Sequence, residues 1–289
     1  MDLTAILGEE PVVDAEEEAF IIFSQDIPSQ SLGFIDSKAS TLEIVVAGHD
    51  LTIHQSRGLL TSDRKEGTTG AVVWKVTPLF AQWIASSTNF LFTHNLLTPS
   101  STAIELGAGV SGIVALTLGS KTSNYIATDQ DYVLKLLRQN ITENYHVVLP
   151  KAKKAKTSKK NSQPTSATDL NDRIRVQALD WETDSVSQLT SVDLVIACDC
   201  IYNESLIEPL NSTCAAICRL RKQDAEHADA KQRPTLCLIA QQLRSPDVFE
   251  AWLKSFHKLF EVWKVPDGML DEALREGSGF VVHVGIVRS

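Results

Sequence analysis

Between residues 102 and 256 the chain alternates two hydrophobic patterns. Short apolar or branched runs at 102–105, 124–128, 174–178, 192–198 and 235–240 read as buried strands. Between them, residues 112–118, 133–144, 204–221 and 246–256 repeat their apolar side chains every three or four positions, as a helix with one buried face does. Parallel strands need a long crossover, and a helix in each gap supplies it, so the alternation implies a parallel sheet covered on both faces. The pattern changes at the end. Residues 260–265 and 279–287 are two strands with no long helix between them, which fits a closing antiparallel pair. The expectation is an α/β fold with a seven-stranded mixed sheet and helices on both faces.

Upstream the pattern is different. Residues 21–23, 41–46 and 51–55 are rich in branched side chains, and Gly48-His49-Asp50 supplies a hairpin turn. We expect a small β extension over residues 21–70, preceded by a partly disordered acidic arm at 1–20 and followed by the main domain at 71–289. Within the main domain, Pro78 suits the first turn of a helix over 79–84. A lysine-rich run at 151–160 opens a polar insertion at 150–172, and a second polar segment covers 222–233. Both read as solvated loops.

Composition narrows the function classes. The 289 residues carry a formal net charge of −9, which argues against general attraction to nucleic acid or an anionic membrane. No apolar run is long enough to span a bilayer, and the N-terminus lacks the basic start and apolar stretch of a signal peptide. The five cysteines lack the spacing of a zinc site, so no metal is expected, and buried free thiols suit the cytoplasm or the nucleus. A monomer is expected.

The candidate chemistry begins at Glu105-Leu106-Gly107-Ala108-Gly109, with Gly112 completing a G-x-G-x-x-G spacing between strand and helix. That spacing alone suggests a dinucleotide site, with a helix N-terminus aimed at the ligand. Glu105 argues otherwise, because a carboxylate beside the turn would repel a pyrophosphate. S-adenosyl-L-methionine has no phosphate and carries a positive amino group and a sulfonium, so it fits better. Asp129, at the end of the next strand, is placed to accept hydrogen bonds from ribose hydroxyls, or else caps the following helix. Trp181, after the strand at 174–178, is a candidate adenine wall, and Trp74 a lid over the methionine part. Core packing is the competing role for both.

The run Asp193-Leu194-Val195-Ile196-Ala197-Cys198 delivers Asp199 and Tyr202 at the sheet's carboxyl edge, where such folds bind ligands. The prolines that shape a nucleobase slot in amine methyltransferases of DNA are missing here. A lysine side chain suits the site better. Asp199 could hold the amine or nearby substrate backbone, and Tyr202 could line its channel.

Four segments together resemble a known family. Gly70-Ala71-Val72-Val73-Trp74, Glu105 to Gly109, Leu179-Asp180-Trp181 and Asp199-Cys200-Ile201-Tyr202 are similar to the signatures of the seven-β-strand protein-lysine methyltransferases, methyltransferase-like family 21. The resemblance implies a Rossmann-like class I methyltransferase fold and S-adenosyl-L-methionine as donor. It assigns donor binding to Trp74, Gly107, Ala108, Gly109, Asp129, Trp181 and Ala197, and places Asp199 and Tyr202 beside the substrate lysine. Within the family, the β extension and lysine-rich insertion look most like the fungal ribosomal lysine N-methyltransferase 5 branch, which implies a large-subunit ribosomal protein of the L1 type as substrate. The alternatives are another protein target such as an AAA ATPase chaperone, a small-molecule methyltransferase, a non-catalytic ribosomal-protein-binding module and, most distant, a dehydrogenase.

Overall fold

The structure, a computed structural model, describes residues 1–29, 33–62, 68–148, 173–226 and 233–288. The lysine-rich run and its insertion lie outside the described residues. In chain order come two N-terminal helices, α1 (Leu3–Leu7) and α2 (Ala15–Phe23), and a hairpin of β1 (Thr41–Val46) and β2 (His49–His54). Helices α3 (Arg57–Leu60), α4 (Val76–Ile84) and α5 (Phe90–Thr93) follow. The alternating part is β3 (Thr102–Leu106), α6 (Ile113–Gly119), β4 (Asn124–Asp129), α7 (Asp131–Val148), β5 (Ile174–Ala178), β6 (Leu194–Cys198) and α8 (Ile207–Glu226). The chain then completes β7 (Leu236–Gln242), α9 (Pro246–Leu259), β8 (Phe260–Lys264) and β9 (Phe280–Val287).

Seven strands form one sheet in the order β5-β4-β3-β6-β7-β9-β8. The first five are parallel, and β9 runs antiparallel to both β7 and β8. This is the mixed sheet that the pattern predicts, with the strand order of a Rossmann-like methyltransferase fold. Strand alternation divides the core between two faces. Ala103, Tyr125, Ile196 and Cys198 pack on one face with α4, α6, α7 and the hairpin, while Ile104, Leu106, Val195 and Ala197 pack on the other with α2, α8 and α9. The strand order reverses beside β3, so β4 and β6 leave it on opposite sides and open a crevice at their carboxyl ends.

The N-terminus departs from expectation. Residues 21–23 are helical rather than a strand, and the arm at 1–20 is folded against the C-terminal strands. Asp14 caps α2 by accepting from the backbone of Glu16 at 2.8 Å, and three glutamates fill the first turn, where the helix dipole favours them. Ala15, Ala19 and Ile22 then form a buried stripe, and Phe23 meets Phe249 of α9 edge-on at 5.5 Å. Val12 donates to the Val262 carbonyl at 2.7 Å, and the Trp263 indole to the Thr4 hydroxyl at 3.1 Å. The local β preference of the two isoleucines loses to this amphipathic spacing.

The hairpin is fixed in a way the hydrophobic pattern does not show. Asn140 and Asn144, one turn apart on α7 and both buried, pair with the main chain of β2. Each amide accepts from one strand N–H and donates to that residue's carbonyl, at His54 and Thr52 respectively, with distances of 2.8–2.9 Å. Helix side chains thereby satisfy a strand edge that would otherwise be open.

Candidate active site

The carboxyl ends of β3, β4, β5 and β6 open on a cleft of about 280 Å³. Its floor is the turn after β3, where Gly107, Gly109 and Gly112 have φ of 68°, 60° and 62°. Packing also excludes a side chain at two of them. A Cβ on Gly107 would lie 2.6 Å from Cys200 Sγ, and one on Gly112 would lie 2.7 Å from Ile141 Cγ1 on α7. Gly109 instead lets the upstream segment cross the turn, and Val110 donates to the Gly70 carbonyl at 2.8 Å. Residues 69–74 therefore form one wall of the cleft although they precede the sheet.

Two carboxyls face the turn. Glu105 is 2% exposed, and the Tyr125 hydroxyl donates to its Oε2 at 2.8 Å. Burial pushes the Glu105 carboxyl up to about 7, the Tyr125 hydrogen bond opposes this, and the charge of Asp129 adds to it. Asp129 accepts from Gly109 N at 2.8 Å and Gln130 N at 2.7 Å. Although the residue reaches the cleft, its carboxyl is enclosed enough that desolvation raises it to about 6, against those two hydrogen bonds. Neither acid has a cation beside it among the described residues.

Trp181 follows β5 and lines the cleft together with Leu179. Its ring also backs Gly107, where an added Cβ would meet it at 3.2 Å. The Trp181 Nε1 and the Gln130 Oε1 are buried with no partner, two polar atoms awaiting a ligand or water. Trp74 lines the opposite wall, with its Nε1 donating to the Thr69 carbonyl at 3.0 Å. The Trp74 ring meets Phe34 at 4.5 Å between centroids and the Arg244 guanidinium at 4.9 Å.

Asp199 occupies a left-handed turn at φ 60°, immediately after β6. Its carboxylate accepts from Arg244 Nη1 at 2.7 Å and Nη2 at 2.6 Å, and from Gln242 N at 3.2 Å. Both oxygens are thus engaged inside the protein, and the side chain is 1% exposed. Tyr202 stands at the rim, 40% exposed, and its phenol is raised by burial of its inner part while the Thr69 hydroxyl bonds it.

Trp74, Glu105, Gly107, Ala108, Gly109, Asp129, Trp181, Asp199 and Tyr202 therefore surround one cleft. Ala197 does not join them. Strand alternation turns it into the opposite core with Leu106 and Ile239, and its neighbour Cys198 lines the cleft instead. Arg244, which holds the Asp199 carboxylate, is the residue at this edge that the pattern along the chain missed. It is the single charge within residues 235–244, placed just beyond β7 at the same sheet edge as the other motifs, and that isolation was the available signal.

Two enclosed acids with no cation beside them among the described residues call for a cationic ligand. Aromatic walls and two polar atoms without a partner among the described residues suit a ligand with a flat ring and several polar groups. A methyl donor carrying a sulfonium, an amine, a ribose and an adenine has these features. A family profile described as lysine methyltransferase matches residues 53–162 and 156–233 of the chain. The chain belongs to the lysine methyltransferase family. The matched span includes every cleft residue expected from the sequence, whereas Arg244 lies beyond it.

Several curated proteins are similar to this chain. The ribosomal lysine N-methyltransferase 5 of Zygosaccharomyces rouxii is 31% identical over 231 residues, covering 71% of this chain and 70% of the relative. That of Vanderwaltozyma polyspora is 28% identical over 319 residues, covering 92% and 96%. A diaminohydroxyphosphoribosylamino-pyrimidine deaminase of Schizosaccharomyces pombe is 29% identical over 255 residues, but the chain spans only about half of it, 53%. Among solved structures, the methyltransferase domain of a bacterial CtHen1 aligns over 73% of this chain and 100% of its own, with a TM-score of 0.46 and 13% identity.

Proposed function

We propose that the chain transfers a methyl group from S-adenosyl-L-methionine to the side-chain amine of a lysine in a large-subunit ribosomal protein of the L1 type. The observation that carries the donor assignment is the Glu105–Asp129 pair, two enclosed carboxyls at a glycine turn with no cation beside them among the described residues. The names of the fungal relatives support the ribosomal target. When bound, the donor supplies an electrophilic methyl on a positively charged sulfur.

The chain's own residues do the rest. Asp129, held by Gly109 N and Gln130 N, would present its carboxylate to the ribose hydroxyls. Glu105, which lines the same cleft, would supply negative charge toward the donor's amino end. Trp181 and Leu179, which line the cleft, would bound the adenine, and the Trp181 Nε1 would be available to donate to it. The lysine must arrive neutral, since only the free amine has a lone pair, and removing its proton at pH 7.4 costs about 4 kcal/mol in water. Enclosure between Trp74 and Tyr202 excludes water and lowers that cost. Transfer then depends chiefly on positioning.

The test is tritium transfer from labelled donor to ribosomes of Saccharomyces cerevisiae lacking its own ribosomal lysine N-methyltransferase 5. One labelled large-subunit protein is expected. Absence of a labelled protein, with S-adenosylhomocysteine binding intact, overturns the target, and label confined to a low-mass fraction reassigns the enzyme to small molecules. The five cysteines are all buried and unpaired, as a reducing compartment would keep them, which supports action in the cytoplasm, with the nucleus as a second site. We assign the active form as a monomer with no nucleic acid substrate, to be checked by light scattering and by nuclease treatment of the ribosomes.

A further inference from the structure

We propose that Arg244 is a positioning residue for methyl transfer: it clamps Asp199, fixes the turn that carries Tyr202, and keeps the carboxylate charge away from the incoming lysine. The proposal rests on the lysine methyltransferase reading of the cleft. It assigns Asp199 a different task from direct contact with the amine.

The geometry has three parts. First, the guanidinium forms two nearly equal hydrogen bonds to Asp199, at 2.7 and 2.6 Å, the fork-to-fork pairing that a lysine cannot reproduce. Second, the guanidinium is itself fixed from other sides. It packs over the Trp74 ring at 4.9 Å, and its Nη2 donates to Gln242 Oε1 at 3.1 Å. The Trp74 ring is held in turn by Phe34, and Gly33 approaches the same Gln242 and Arg244 side chains so closely that a Cβ there would collide with them. Third, Asp199 is a non-glycine residue at φ 60°, a conformation maintained only when its surroundings enforce it. Its backbone N–H donates to Ala240 at 2.7 Å and its side chain is tied to the end of β7, so β6 and β7 jointly set the direction in which the chain leaves toward Tyr202.

Charge matters as much as shape. A methyl acceptor must shed a proton, and a free carboxylate beside it would hold the ammonium form. Paired with Arg244, Asp199 adds no net charge. Without Arg244 the carboxylate would be left buried and unpaired, and an approaching substrate ammonium would be held in its charged form.

The test compares Arg244→Leu, Arg244→Lys and the double variant Asp199→Asn with Arg244→Leu, in tritium transfer to the ribosomes described above. Enzyme concentrations are set by S-adenosylhomocysteine titration. The expected result for Arg244→Leu is a kcat at least tenfold lower, with the KM for ribosomes unchanged or lower and S-adenosylhomocysteine affinity within threefold. Arg244→Lys recovers part of the loss. The double variant is faster than Arg244→Leu alone, because the stranded charge is gone. A loss confined to S-adenosylhomocysteine affinity, an unchanged kcat, or a double variant no faster than the single one overturns the proposal.

A second arm needs no acceptor. In protein with ¹⁵N-labelled arginine, the Arg244 guanidinium protons are expected to be resolved and slow to exchange, and to be lost in Asp199→Asn. If the wild-type enzyme labels no ribosomal protein, the substrate reading fails and this arm decides: averaged, fast-exchanging guanidinium signals in the wild-type protein refute the clamp.

Discussion

The cleft treats its carboxylates in two opposite ways. On the side formed by β3 and β4, Glu105 and Asp129 are enclosed with hydrogen-bond donors but no counter-ion among the described residues, and both are raised, to about 7 and about 6. On the side formed by β6 and β7, Asp199 is fully engaged by Arg244. The same functional group is therefore left short of positive charge on one side and saturated with it on the other. The unsatisfied side suits a ligand that brings its own positive charge. The saturated side suits a substrate that must lose its charge before reacting.

That contrast can be broken at several points. The largest effect is expected from Gly107→Val, which puts a branched side chain at φ 68° against Cys200 and Trp181. Strain and overpacking together amount to roughly 2–5 kcal/mol, so calorimetry should show S-adenosylhomocysteine binding reduced by about 100-fold or abolished. Normal binding would mean that the turn can relax away from Cys200. Next comes Asp129→Ala, which removes charged hydrogen bonds worth roughly 1.5–3 kcal/mol and should weaken S-adenosylhomocysteine by about 10- to 100-fold. A change below threefold would remove Asp129 from the donor site.

A pH series sharpens the comparison further. Donor affinity should fall as pH drops through about 7 and then 6, because protonation removes the charges that attract it, and S-adenosylhomocysteine, lacking the sulfonium, should respond less steeply. Folding carries the reverse dependence. Both groups bind their protons more tightly when folded than when unfolded, so their contribution to stability is complete below the ordinary carboxylate range and is lost as pH rises through about 6 and 7. Melting of the ligand-free protein should show this decline, and Glu105→Gln should flatten it. An equally steep decline in Glu105→Gln would assign the effect elsewhere.

The smallest effect is expected at the surface. Lys254 contacts both Glu16 and Glu250, but all three side chains are substantially exposed. Lys254→Ala should leave the melting temperature within experimental error, since exposed pairs contribute little. A clear drop would mean that α2 is held by charge rather than by its apolar stripe.

The alternating strands and helices were legible in the sequence because each carries its own periodicity. Helix α7 shows what periodicity omits: its apolar stripe announces a helix, but Asn140 and Asn144 look like surface residues until β2 is found against them. The N-terminal arm was misread for a related reason. Its acidic residues suggest solvent, and the stripe of Ala15, Ala19 and Ile22 has meaning only once α9 supplies a surface for it. At the site, the glycines and acids were readable because their chemistry is local to one strand end. Ala197 was displaced by one position because alternation fixes which residue faces the cleft, and the motif alone does not give the strand's rotation.

By itself the sequence determined the strand order's raw material, the glycine turn with its two acids, and the motif ending in Tyr202, because neighbouring residues dictate each of them. Only the tertiary structure decided what those acids experience. Asp129 ends one apolar strand and Asp199 follows another, and they look alike along the chain. One has no cation beside it among the described residues, and the other receives a guanidinium from 45 residues downstream. Charge compensation is a property of distances in space, and those are set by how β6, β7 and the segment bearing Trp74 converge.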